Sequence, residues 1–210
     1  ENERLFSLYH YSLGFVNSIL MPITLILVFF TEEIVLILLG DNWLEAVIPT
    51  QIMFFVIPFS SSGRMADSVI RSKGLIYNNV VRKYIYVIIL TSSVFLCGYF
   101  YGITGAAIAV TCSYIFNFIL MVFLVKKIFN KSITELFLSP FIEGFKLSFI
   151  ALILILVIST ITKALFGDLF INFFLIISIL AILTILAAWK KPSILGKYIL
   201  QTINNFFKTN

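Results

Sequence analysis

The sequence predicts an all-α fold: a polytopic transmembrane bundle of about six helices. Three observations carry this. Apolar residues make up 60% of the chain and charged residues only 12%, whereas a soluble domain averages about a quarter charged. Mean hydropathy is +1.07. Several apolar runs reach the ~20 residues that cross a bilayer as helix. Runs such as FIALILILVIST lack the period-two alternation of a membrane β-barrel. A helix closes its own backbone hydrogen bonds, which is what lets such runs sit in lipid.

The chain opens on Glu1-Asn2-Glu3-Arg4. No charged start, short apolar core and small-residue cleavage site follow in the order of a signal peptide. The chain is expected to be a piece of a longer protein. Cys97 and Cys112 lie in apolar segments without metal-ligand spacing and are expected as buried free thiols. No metal and no cofactor are expected. The net charge of +5 is better explained by membrane topology than by nucleic acid.

The first span is expected from about Tyr9 to Phe30, kinked at Pro22. A short run, Ile34 to Leu39, follows Glu32 and Glu33 and ends at Gly40; it is too short to span. The second span should be one long helix from Gly40 to Gly74, apolar from Ile52 to Phe59 and then interrupted by Pro58, Ser60, Ser61, Ser62 and Gly63. Those residues suggest either an unwound binding segment or a static kink. A third span runs from about Val80 to Tyr99, entered through Arg82 and Lys83. A tight turn at Tyr99 to Ile103 leads into a fourth span, Thr104 to Val125. Gly98, Gly102, Gly105 and Ala109 should let those two helices approach closely.

These spans form the first unit, residues 1–127. A polar cytoplasmic linker, 128–140, follows and is read as a surface segment with a short amphipathic helix near Ile133 to Leu138. Two further spans, within 141–190, and an amphipathic membrane-surface tail, 191–210, complete the reading.

Charge sets the orientation. The turns after the first, third and fifth spans carry Glu32, Glu33, Asp41, Glu45 and Asp168 with a single base, Lys163. The other side carries Arg71, Lys73, Arg82, Lys83, Lys126, Lys127, Lys190 and Lys191. Basic residues stay in the cytoplasm, so both ends of the chain are expected there. Arg64 fits neither set and stands roughly 10 Å along the helix from Arg71. Such an intramembrane charge marks a pathway or a partner.

Several motifs resemble a known family. An apolar helix with an internal Pro leads into LLGDNWLEA, then a helix ending in RSKG, an Asn-bearing helix entry, a YGITGAAIAV turn and a Lys-Lys end. This pattern, over roughly Leu5 to Lys127, resembles the C-terminal half of bacterial polysaccharide (O-antigen-type) flippases of the multidrug/oligosaccharidyl-lipid/polysaccharide exporter superfamily. The resemblance implies one lobe of a two-lobe exporter fold in the bacterial cytoplasmic membrane. The implied cargo is an oligosaccharide repeat unit on undecaprenyl pyrophosphate, moved by alternating access. Implied partners are that lipid-linked oligosaccharide, membrane lipids, the N-terminal lobe of the same protein and the polysaccharide polymerase machinery.

Arg64, Asp67 and Arg71 fall at i, i+3 and i+7 and share a helix face. They are the substrate-binding candidates, with Ser61. Arginine forks suit phosphate; the bland alternative is an Arg64–Asp67 pair that neutralises itself, with Arg71 reaching the surface. Asn17 and Asn117 read as interhelical hydrogen bonders. His10 is a poor candidate for metal or proton chemistry. The chain is not expected to be an enzyme: Glu32 and Glu33 are adjacent and diverge on a helix, and no nucleophile–base pair is evident. The alternatives are a cation-coupled drug exporter with Asp67 as its coupling acid, or a membrane-embedded polymerase or acyltransferase.

Overall fold

The computed structural model describes residues 2–157 apart from Ser139, Glu143, Leu147, Ile150, Ala151 and Leu154. The expected sixth span and the amphipathic tail lie outside the described residues, as does the end of the fifth span.

Helix α1 (Asn2–Phe29) runs through Pro22 without a break. Helix α2 (Thr31–Leu39) follows and ends at Gly40. A 3-10 turn (Asp41–Ala46) leads to α3 (Val47–Phe54) and α4 (Val56–Ser72). The expectation of one continuous helix from Gly40 to Gly74 is therefore corrected: the helix is interrupted at Phe55. The cause is Pro58, in the first turn of α4. Its ring nitrogen cannot donate to the Phe54 carbonyl one turn back and its ring crowds that carbonyl. The serine run past it stays helical, so the interruption lies before Ser60–Gly63 and not within it.

Helix α5 (Ile76–Phe129) folds back on itself at Gly102, whose backbone angles are φ 61° and ψ −147°. That region belongs essentially to glycine. The arms, 76–101 and 103–129, run antiparallel: the Tyr86 and Tyr114 rings meet at 5.6 Å, and Arg82 hydrogen-bonds Asn117. The expected turn is thus present. Each arm, of roughly 26 residues, is about 40 Å long, enough for a hydrocarbon layer of about 30 Å. Asn130, in the left-handed conformation that asparagine tolerates, caps the second arm.

Among the described residues three helical stretches are long and apolar enough to cross a membrane: Asn2–Phe29, Asp41–Ser72 and Ile76–Phe129. The bundle's outer surface fits lipid. Tyr84, Ile88, Phe95, Leu96, Phe100 and Phe123 are all exposed, a density of apolar surface that a water-soluble monomer rarely shows. This is a membrane protein. Polar contacts gather its ends. Lys73 donates to Asn2 and Lys131 pairs with Glu3 at 3.5 Å, while Trp43 and Glu45 line one crevice with Ile103 and Thr104 at the opposite end.

The core joins Tyr9, Leu13 and Met21 of α1, Ala66, Val69 and Ile70 of α4, and Met121, Val122 and Val125 of the second arm. Leu136, in a π-helical turn (Thr134–Leu138), and Phe137 are buried in it. The segment expected as a surface linker is exposed at 132–135 and at Leu138, and it buries Leu136 and Phe137, the latter against the Tyr9 and Phe118 rings. The cysteines are free, but Cys97 is only half-buried and Cys112 is exposed. A small apolar side chain loses nothing by facing lipid, so burial was not required of them.

The four small residues of the hairpin do different jobs. A Cβ on Gly105 would collide with the Cys97 carbonyl oxygen and lie 2.6 Å from the Tyr101 Cβ, whereas one on Gly98 would sit 3.8 Å from the Ala106 Cβ, an ordinary contact. Gly102 is held by its backbone and not by space. Gly105→Ala should therefore destabilise by about 1–3 kcal/mol through overpacking, and Gly102→Ala by about 1–3 kcal/mol through backbone strain. Gly98→Ala should stay within about 0.5 kcal/mol of wild type. Thermal unfolding in detergent measures all three; an unchanged midpoint for Gly105→Ala would show that the arms do not approach as closely as described.

Candidate functional site

Helix α4 is polar where its neighbours are apolar. Past Pro58 it carries Ser60, Ser61, Ser62, Arg64, Asp67 and Ser68 within three turns. Its faces meet α1 on one side and the α5 hairpin on the other. Against α1, Asn17 donates to the Ser62 hydroxyl at 3.1 Å and accepts from it at 3.2 Å, with both side chains buried. Asn17 is thus the interhelical hydrogen bonder its type suggested. Near the Phe55 interruption, the Thr111 hydroxyl donates to the Ile52 carbonyl at 3.2 Å.

The hairpin side holds the charges. Arg82 is only 5% exposed, and every nitrogen of its guanidinium has an acceptor. Nη2 donates to Asp67 Oδ1 at 2.8 Å and to Asn79 Oδ1 at 2.7 Å, Nε donates to Asn79 Oδ1 at 3.3 Å, and Nη1 donates to Asn117 Oδ1. The Asp67 side chain is 13% exposed, and its other oxygen faces Lys83 at 3.2 Å and Arg71 at 3.8 Å. Those two bases are 49% and 64% exposed. Exposed pairs of this kind contribute little, so Arg82 is the partner that matters to Asp67.

Two sequence expectations are corrected here. The alternative of an Arg64–Asp67 pair does not form: Arg64 Nη2 donates to the Ser61 hydroxyl at 2.9 Å, and among the described residues the carboxylate is held by Arg82, Lys83 and Arg71. The physical reason is that Arg82 is buried and cannot reach water, so it takes the nearest carboxylate, while exposed Arg64 can remain solvated. Arg82, expected at the edge of its span, is instead buried, roughly 9 Å into the first arm. Its place near a helix start made it look like an edge residue; the signal that marked it was Asn79 one turn before, an acceptor spaced to serve it.

A cavity of about 380 Å³ opens between α4 and the hairpin. Arg64, Asp67, Arg82 and Lys83 line it together with the rings of Phe59, Tyr86, Tyr114 and Phe118, with Ser60 and Asn117 also on the wall. Three bases face one acid there, a surplus of two positive charges. A second cavity, of about 580 Å³, lies between α1 and α4 and is lined by Val16, Ile19, Leu20, Ser61, Met65 and Ser68. Arg64 lines both. Of the residues expected at the site, Arg64 and Asp67 line the first cavity, Ser61 lines the second and holds Arg64, and Arg71 lines neither.

Residues 1–48 match a family model described as "Polysaccharide biosynthesis protein". No curated protein and no solved structure matches the chain. The matched stretch takes in α1, α2, the Asp41–Ala46 turn and the start of α3. Over it the chain is similar to a family of polysaccharide biosynthesis proteins. The match includes the Gly40-Asp41-Asn42-Trp43 element and stops before the charged residues of α4 and α5.

The charge network makes a graded prediction. Asp67→Asn leaves Arg82 buried without a counter-charge and should cost about 3–5 kcal/mol. Lys83→Gln removes a half-exposed partner and should cost under about 1 kcal/mol. Thermal unfolding of the purified variants compares them; equal losses would mean that burial does not decide the partner.

Proposed function

We propose that this chain is part of a flippase that moves a lipid-linked oligosaccharide across the bacterial cytoplasmic membrane. The cargo would be a sugar repeat unit on a polyprenyl diphosphate such as undecaprenyl pyrophosphate, delivered for cell-surface polysaccharide synthesis. The observation that carries this reading is the cavity between α4 and the hairpin, with its surplus of two positive charges. A diphosphate diester carries one negative charge on each phosphate, which balances that surplus. The aromatic rings offer flat apolar faces to the sugar or lipid next to the diphosphate. Similarity of residues 1–48 to polysaccharide biosynthesis proteins supports the same cargo class.

The chain would act as one lobe and pair with a second, N-terminal lobe, since alternating access needs two halves that rock about a shared midplane site. Both ends of the chain would face the cytoplasm, and a polysaccharide polymerase would receive the exported units. No catalytic role is assigned. The engagement of Asp67 by three bases weighs against the alternative, a cation-coupled drug exporter that would need this carboxylate open to its coupling ion.

Arg64→Gln in the intact protein should insert and fold, because it strands no carboxylate, yet weaken cargo binding about ten- to a hundred-fold for one lost charge-assisted bond. Arg64→Lys should keep part of the activity. Glycan export in cells, scored beside membrane abundance, measures both; wild-type export by Arg64→Gln would remove Arg64 from the site. Topology has its own test. In a Cys97→Ser, Cys112→Ser background, Lys73→Cys should resist an impermeant thiol reagent added outside intact cells while Tyr101→Cys reacts. Labelling at position 73 from outside would reverse the orientation.

A further inference from the structure

We infer that Arg82 is a positioning residue: by holding Asp67 it keeps the Arg64 guanidinium open to an anion in the cavity. The reference to an anion rests on the function proposed above; the positioning does not. Arg64 and Asp67 stand at i and i+3 on α4, where opposite charges ordinarily pair. They do not pair here. Asp67 turns its Oδ1 to Arg82 at 2.8 Å, and among the described residues Arg64 has a neutral partner, the Ser61 hydroxyl at 2.9 Å. Lys83 and Arg71 face only the other carboxylate oxygen.

The burial pattern gives Arg82 a reason to win. In the arm 76–101 the fully buried side chains are Asn79 and Arg82, and the apolar ones are half-buried, such as Ile89 and Val94, or exposed. A guanidinium fixed by Asn79 and Asn117 on its own hairpin points at α4 before any carboxylate is considered. Asp67 is the acid that completes it. A charge left unpaired at that depth is costly; Arg64 is exposed and opens onto both cavities, where it can be solvated. The network therefore sorts four neighbouring bases: one is neutralised in the interior, two share the rim of the same carboxylate, and Arg64 keeps most of its donors for an incoming group.

The test reads Arg64 directly. Phenylglyoxal modifies open guanidinium groups, and peptide mass spectrometry scores each arginine separately in the intact protein held in lipid nanodiscs. Arg64 should react readily in the wild type. Arg82→Gln frees Asp67 Oδ1, which should then engage Arg64 one turn away and slow its modification several-fold. Arg82→Gln with Asp67→Asn removes that carboxylate and should return Arg64 to the wild-type rate. A merely structural Arg82 would lower stability without this pattern. An unchanged Arg64 rate in Arg82→Gln overturns the inference. If that variant does not fold, Arg82→Lys and the double variant decide, because neither strands a charge: both should keep the wild-type rate, and slowing in either overturns the inference. Inorganic pyrophosphate separates the two readings. Protection of wild-type Arg64 supports the anion site; no protection, with the variant pattern intact, removes the anion reading and leaves the positioning role standing.

Discussion

The ion pair between Asp67 and Arg82 is the interaction on which the rest of the bundle depends. It joins α4 to a hairpin arm whose other fully buried residue is Asn79 and whose apolar side chains are half-buried or exposed. In water such an arm would be held by apolar burial. Lipid removes that driving force, because a side chain facing hydrocarbon is as well placed as one facing a neighbour. What remains is close packing and polar contacts that have no alternative in the membrane. The pair need not be a net source of stability, since desolvating two charges offsets most of their attraction. Its effect is specificity: once Arg82 is inside, one arrangement of α4 against the hairpin satisfies it.

Two departures from regular helix shape the space beside that pair. The interruption at Phe55 comes from a missing proline donor, and the reversal at Gly102 from a backbone region closed to other residues. The first lets α4 take its own course after α3. The second brings Tyr114 and Asn117 back to the level of Tyr86 and Arg82. Gly105 then sets how closely the arms approach at one end, while the guanidinium with its amide partners spaces them at the other. The cavity is what lies between these fixed points, lined by both charged groups and aromatic rings.

Charge in this cavity is distributed by burial. Arg82, Lys83 and Arg71 all lie within 4 Å of Asp67, yet only the buried one depends on it. The exposed bases can be solvated by water, lipid headgroups or an anion. This division makes a cavity with one buried ion pair and two exposed bases, Arg64 and Lys83, on its wall. Similarity to polysaccharide biosynthesis proteins lies in a different part of the chain, residues 1–48. Cargo class and cavity chemistry are thus supported by separate stretches.

The membrane class, the helical fold, the hairpin turn at Gly102 and the asymmetry of charge along the chain were legible in the sequence. Each is a local property: a run is apolar or it is not, and Pro58 or Gly102 acts on the backbone within one turn. Asn17 and Asn117 were legible as interhelical hydrogen bonders for a related reason, since an amide in an apolar span has to find a partner. Other features were not legible. Spacing along α4 put Arg64 and Asp67 one turn apart, but which base takes the carboxylate depends on which base is buried, and burial is decided by a helix that follows in the chain and folds back. Arg82 read as an edge residue because six positions from a helix start is ordinarily within reach of water. The amphipathic stretch near Ile133 to Leu138 was legible, but not which rings Phe137 would meet. Sequence fixes which groups must be satisfied; only the folded bundle determines which neighbours satisfy them, because desolvation acts on residues brought together from distant parts of the chain.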